Sequence, residues 1–175
     1  MNNVFKKTHN QFSWTDMGDI KEGRGDLGED MPVLVYRLMQ YTMLDVLTRK
    51  FGSDEANVYF RQAGDLAGSE LTKNTLDVNA DFDTFIAALQ EKLKEFKIGI
   101  LRMEDYTEED GNIVLTVAQD LDCSGLPVTN ETVCSYDEGF IAGILKAYFK
   151  KNYVVREVDC WANGDRVCRF RCEPA

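Results

Sequence analysis

The sequence predicts an α+β fold, with helices packed on one face of a four-stranded, mainly antiparallel sheet. Three observations predict it. Apolar residues recur at helical spacing through roughly residues 30–97. The period then drops to two in a pair of short runs joined by the acidic turn Glu108-Glu109-Asp110-Gly111. After one more helical run, a second alternating pair flanks Asn163-Gly164, a strong hairpin signal.

Residues 1–23 are expected to form an N-terminal arm and residues 24–175 a single domain. Gly18, Gly23, Gly25 and Gly28 lie among mixed charges, while Phe12 and Trp14 offer aromatic surface for docking on a partner subunit; a flexible tail fits the composition equally. Asp30 and Pro32 open the first long helix, which runs to about Lys50 and stops at Gly52. Leu34, Val35, Leu38, Met43, Val46 and Leu47 give it a wide apolar face. The second helix starts after Ser53 and runs to about Asn74, with Tyr59, Ala63, Leu66 and Ala67 as its buried stripe. Gly64 and Gly68 lower its propensity but let another backbone or a ligand come close. The third spans about Asp81 to Lys97 on an apolar face that includes Ile86, Leu89 and Leu93.

Strands are expected at Ile98–Tyr106 and Asn112–Gln119, followed by a loop carrying Cys123, Gly125 and Pro127. Ser135 and Glu138 have the spacing of a capping box for a fourth helix, to about Lys151. Tyr153–Trp161 and Asp165–Cys172 close the chain as a hairpin.

At 175 residues, 44% hydrophobic and 29% charged, the chain has the size and balance of one globular domain. A net charge of −10 argues against nucleic-acid binding, which demands clustered Lys and Arg. No apolar run approaches the ~20 residues of a membrane span, and the N-terminus is polar rather than signal-like. Five cysteines without a leader point to a reducing cytoplasmic setting, where clustered thiols serve metals more often than disulfides.

Four of the five cysteines fall between Cys134 and Cys172. Glu157, Cys160 and Cys168 form an E-x2-C-x7-C pattern with Cys134 upstream, and three thiolates and a carboxylate suffice to close a tetrahedral zinc site. The only histidine, His9, is remote in sequence. Residues three apart on a regular strand point to opposite faces, so Glu157 and Cys160 converge only if a bulge or turn intervenes. Cys172 shares strand parity with Cys168, and Cys123 lies on a loop that can approach the same region; packing as small apolar groups is the expectation for both.

This pattern resembles the 4-vinyl reductase (V4R) domain, a small-molecule-binding module that also serves as the sensor of aromatic-responsive transcription activators. In the zinc-binding sensors a Cys stands 23 positions before Glu-x2-Cys-x7-Cys, the spacing of Cys134, Glu157, Cys160 and Cys168. The resemblance extends upstream through Gly25-Asp26-Leu27-Gly28 and the helix with Gly64 and Gly68. It implies a compact ligand-binding fold over residues 24–175, usually homodimeric, with structural zinc on those four residues. Four protein ligands leave no open position for an activated water.

No Ser-His pair or phosphate-cradling motif occurs, and the G-x-G-x2-G run at Gly23–Gly28 follows no strand, so no enzyme is expected. The functional expectation is non-catalytic binding of a small hydrophobic molecule, as sensor or carrier, relayed by a separate partner. Phe60, Phe82, Phe85, Phe96, Phe140, Tyr148 and Phe149 are the expected pocket lining, with plain core packing as the alternative. The rival readings are an interaction scaffold whose pocket is filled by side chains, and an accessory subunit of a tetrapyrrole reductase.

Overall fold

The computed structural model describes residues 12–175, so His9 and the start of the arm lie outside the described residues. The chain divides into two compact units, Met1–Asp30 and Met31–Ala175. In the first, a 3-10 turn at Trp14–Met17 precedes α1 (Ile20–Gly23), capped by Asp19 through the Glu22 N–H at 2.9 Å.

The second unit holds α2 (Val33–Phe51), α3 (Ser53–Thr75), α4 (Phe82–Glu95), β1 (Ile100–Thr107), β2 (Asn112–Ala118), α5 (Ser135–Phe149), β3 (Tyr153–Asp159) and β4 (Cys168–Pro174). The four strands form one antiparallel sheet in the order β1-β2-β4-β3. Its inner face carries Ile113, Leu115 and Val117 of β2 against Cys172, Phe170 and Cys168 of β4, with Tyr153, Val155 and Glu157 on β3. All of these side chains are buried. The α+β class, the element order and the antiparallel sheet are those the periodicity predicts.

The faces differ from expectation in two helices. None of the residues of α2 is buried, and its apolar face points outward, with Leu34 76% and Leu38 63% exposed. In α3 the expected stripe is turned away as well: Tyr59 and Leu66 are exposed, while Gly64, Gly68, Ser69 and Thr72 are buried. The reason is close approach. A Cβ on Gly64 would sit 2.1 Å from the Tyr136 carbonyl oxygen, and one on Gly139 1.9 Å from that of Arg61. Only a glycine face lets α3 and α5 meet backbone to backbone, so the glycines admit a second helix rather than a ligand.

The helix N-terminus at α5 also corrects the expected capping box. Cys134 occupies the cap position without a side-chain cap bond. Glu138 is buried; its Oε1 accepts from the Glu157 N–H at 2.9 Å and its Oε2 pairs with Arg61. The last hairpin is wider than its turn signal: strands end at Asp159 and resume at Cys168, and a 3-10 turn at Trp161–Asn163 with Gly164 at φ 102° lies between them. The register shifts between Glu157 and Asp159, which supplies the irregularity that the E-x2-C spacing demands.

Candidate functional site

Four thiols from three segments converge at the end of the sheet. Cys123 lies on the loop between β2 and α5, Cys134 caps α5, Cys160 follows β3 and Cys168 opens β4. All four are buried, and their sulfurs lie within 4.8 Å of one another. The Sγ separations are 3.1 Å for Cys123–Cys168, 3.8 Å for Cys134–Cys160 and 3.9 Å for Cys134–Cys168. A tetrahedral ion with metal–sulfur bonds of about 2.3 Å sets its sulfurs about 3.8 Å apart, so the donor set fits a single ion and these residues can hold a metal.

Each thiol is positioned by its own backbone. Asp120 Oδ1 accepts from the N–H groups of Asp122 and Cys123 at 2.8 and 3.0 Å, folding that loop into an Asx turn. Cys160 is bent by a tight turn in which its carbonyl accepts from Asn163 and Asp165 at 2.9 and 3.1 Å. The Trp161 indole N–H donates to the Leu126 carbonyl at 3.0 Å, tying this turn to the Cys123 loop. Contacts with Cys123, Cys134 and Cys168 hold the Cys160 thiol well below its usual range. Cys134 and Cys168 are pushed up, first by contact with Cys123.

Of the four residues expected as ligands, Cys134, Cys160 and Cys168 stand in this group. The fourth sulfur is that of Cys123, expected to pack as an apolar group. The Glu157 carboxylate instead accepts the Cys134 N–H at 3.0 Å through Oε2, and its buried Oε1 has no partner among the described residues. Burial raises Glu157 to about 8, against the pull of Cys134. Cys172 is fully buried beside Ile113 and Val155, and burial alone lifts its thiol to about 12.

Two further carboxyls crowd the same region. Asp120 and Asp137 are buried and form a second close group with Cys134. Burial, then the charge of Asp122, lifts Asp120 to about 7; burial and then Asp120 hold Asp137 well above the usual carboxylate range. Both border an internal apolar cavity of about 20 Å³ against Leu89, Leu115, Phe140 and Ile144, room for about one water.

The seven aromatic residues expected to share one pocket are spread over four places. Phe82, Phe85, Tyr148 and Phe149 pack on one another with Tyr106 and Tyr153, at centroid distances from 4.1 Å for Phe85–Tyr148 to 5.9 Å for Phe82–Tyr148 within the four. Phe140 borders the small internal cavity, and Phe96 is exposed beneath Lys92. Only Phe60 reaches a cavity of ligand size, a groove of about 350 Å³ between α2 and α3. Its other walls are Tyr36, Met39, Gln40, Met43, Leu47, Tyr59, Ala63 and Tyr136. Tyr36, Gln40 and Met43 recur at helical spacing, a signal masked by the stronger leucine and valine stripe beside them.

The groove and the thiol loop are fastened together. Tyr36 Oη and Gln40 Nε2 donate to Asp122 Oδ1 and Oδ2 at 2.8 and 2.6 Å, and Tyr41 Oη donates to the Asp122 carbonyl at 2.9 Å. Arg37 donates to the carbonyls of Leu121 and Ser124 at 2.7 and 2.9 Å. Among the described residues no helix is long and apolar enough to cross a membrane.

Known proteins agree with this fold. An uncharacterized protein of Methanocaldococcus jannaschii is 29% identical over 147 residues, 83% of this chain and 79% of its own length. A vinyl-4-reductase family protein from the same organism superposes with a TM-score of 0.60 at 17% identity, over 85% of each chain. The phenol-responsive sensory domain of the transcription activator PoxR, with phenol, superposes with a TM-score of 0.62 at 17% identity, over 83% of this chain and 77% of that one. The V4R domain family matches residues 113–174, the segment that contains all five cysteines. The resemblance carried by the cysteine spacing is thereby shown: residues 113–174 of this chain are a V4R domain.

Proposed function

We propose that this chain binds a small apolar molecule in the α2–α3 groove, and that a zinc ion on Cys123, Cys134, Cys160 and Cys168 holds the neighbouring loop in place. The observation that carries the reading is the groove itself: about 350 Å³, lined almost wholly by Met, Leu, Ala and aromatic side chains, with Asp122 of the thiol loop at its floor. That volume is the size of a small-molecule site. The PoxR sensory domain, of like fold, is described with phenol, which supports a ligand-binding role.

The role is non-catalytic. Four thiolates around one ion leave no open coordination position, so the metal clamps α5 and the last hairpin to the Cys123 loop rather than activating water. Five free, buried thiols fit a reducing cytoplasmic setting. A homodimer is part of the same reading, with the outward apolar face of α2, including Leu34, Leu38 and Met39, as the surface shared by two copies.

Native mass spectrometry of freshly purified protein tests the reading. A small molecule should co-purify, and Ala63→Phe, which fills the groove, should abolish it. Protein that carries no small molecule, and takes up no apolar probe, would favour the second reading, an interaction scaffold; the close-packed aromatic group around Phe82 is the observation on that side.

A further inference from the structure

Gln40 is the one groove residue whose polar end is both fixed and unsatisfied. Its Nε2 donates to Asp122 Oδ2 at 2.6 Å, and since a carboxylate can only accept, the amide orientation is set. Oε1 therefore faces away from Asp122, shielded from solvent, with no partner among the described residues. A buried acceptor without a donor is unfavourable, by roughly 1–3 kcal/mol. The Tyr36 hydroxyl is also committed, donating to the other oxygen of Asp122 at 2.8 Å. The groove thus offers lone pairs on its polar side and hydrocarbon elsewhere.

We propose that Gln40 determines specificity in this groove: it selects an apolar molecule that carries a hydrogen-bond donor, a hydroxyl or an amine, and rejects a carboxylate of the same length. Asp122 is the positioning residue. It holds the Gln40 amide and the Tyr36 hydroxyl in their accepting orientations, and it is itself held by the Asx turn that presents Cys123. The inference rests on the groove reading above. It adds which end group is recognised, and it places the origin of that preference on the thiol loop, one residue from Cys123. An anion is doubly excluded, because Asp120, Asp122 and Asp137 lie behind this wall and Arg37 is turned toward backbone carbonyls.

The test uses three six-carbon probes, 1-hexanol, hexylamine and hexanoate, titrated into the full chain by calorimetry. Hexanol or hexylamine, or both, should bind at least tenfold tighter than hexanoate, and the pair distinguishes a hydroxyl preference from an amine preference. Gln40→Leu should still bind the hydrocarbon but lose the discrimination. Asp122→Asn should reduce it while metal content stays at the wild-type level, a separation that loss of structure alone would not produce. Equal binding of all three probes to the wild type, or unchanged discrimination in Gln40→Leu, overturns the proposal and leaves groove binding standing. If none of the probes binds, the groove reading itself falls and the proposal with it.

Discussion

The Cys134 amide donates to the Glu157 carboxylate at 3.0 Å, joining the start of α5 to the end of β3 across 23 residues of sequence. Glu138, one turn into the same helix, accepts the Glu157 N–H at 2.9 Å. The two contacts are reciprocal: each segment supplies one donor and one carboxylate. Glu157 thereby fixes the position of a cysteine without itself standing among the four sulfurs.

The α3–α5 contact makes a stability prediction. Gly64→Ala would set a methyl 2.1 Å from the Tyr136 carbonyl oxygen, and Gly68→Ala one 2.0 Å from that of Phe140. Backbone cannot yield as a side chain can, so each change should destabilise the fold by about 1–3 kcal/mol or more, despite the better helix propensity of alanine. Chemical denaturation measures it. Neutral or stabilising alanines would mean that the helices are farther apart than described.

Buried carboxyls make a pH prediction for metal-free, reduced protein. Burial raises Glu157 from 4.5 to about 8, and Asp120 from 3.8 to about 7. Between those limits the folded chain keeps protons that the unfolded chain has released. Stability is therefore greatest below the lower value and falls as pH rises toward the upper one, by at most about 1.4 kcal/mol per pH unit for each group. Urea midpoints should drop between pH 5 and pH 8, and Glu157→Gln should flatten the slope. A midpoint that rises over that interval would contradict the assignment.

The outward face of α2 predicts assembly. Replacing Leu34 and Leu38, both mostly exposed, with lysine removes apolar surface without touching the core. Light scattering should give a dimer mass for the wild type and a monomer mass for the double variant, with equal helix content. A wild-type monomer at tens of micromolar would defeat the homodimer.

The elements were legible because their signals are local. Asp81 caps α4 by accepting the Thr84 N–H at 3.0 Å, and Asn163-Gly164 turns the last hairpin. The faces were less so. Leu34 and Leu38 have the spacing of a buried stripe, yet whether a stripe is covered depends on what packs there, and in α3 the glycines won the closest contact. Three thiols of the metal set could be read from spacing because β3, its irregularity and β4 are contiguous. Cys123 could not, since its loop is held by Tyr36, Arg37 and Gln40, more than 80 residues away in sequence. Helical periodicity placed Phe82, Phe85 and Phe149 on inward faces, but not whether they would surround a ligand or one another.

The central claim is that the metal set is four sulfurs, and zinc content after single substitutions tests it most directly. Elemental analysis of protein never exposed to chelator should find about one zinc per chain in the wild type and in Cys172→Ser. Cys123→Ser should lose most of its zinc and melt markedly lower, since metal binding to an assembled site is linked to folding. Glu157→Gln should keep its zinc. If Cys123→Ser keeps the ion and Glu157→Gln loses it, the carboxylate is the fourth ligand and the four-sulfur account is contradicted.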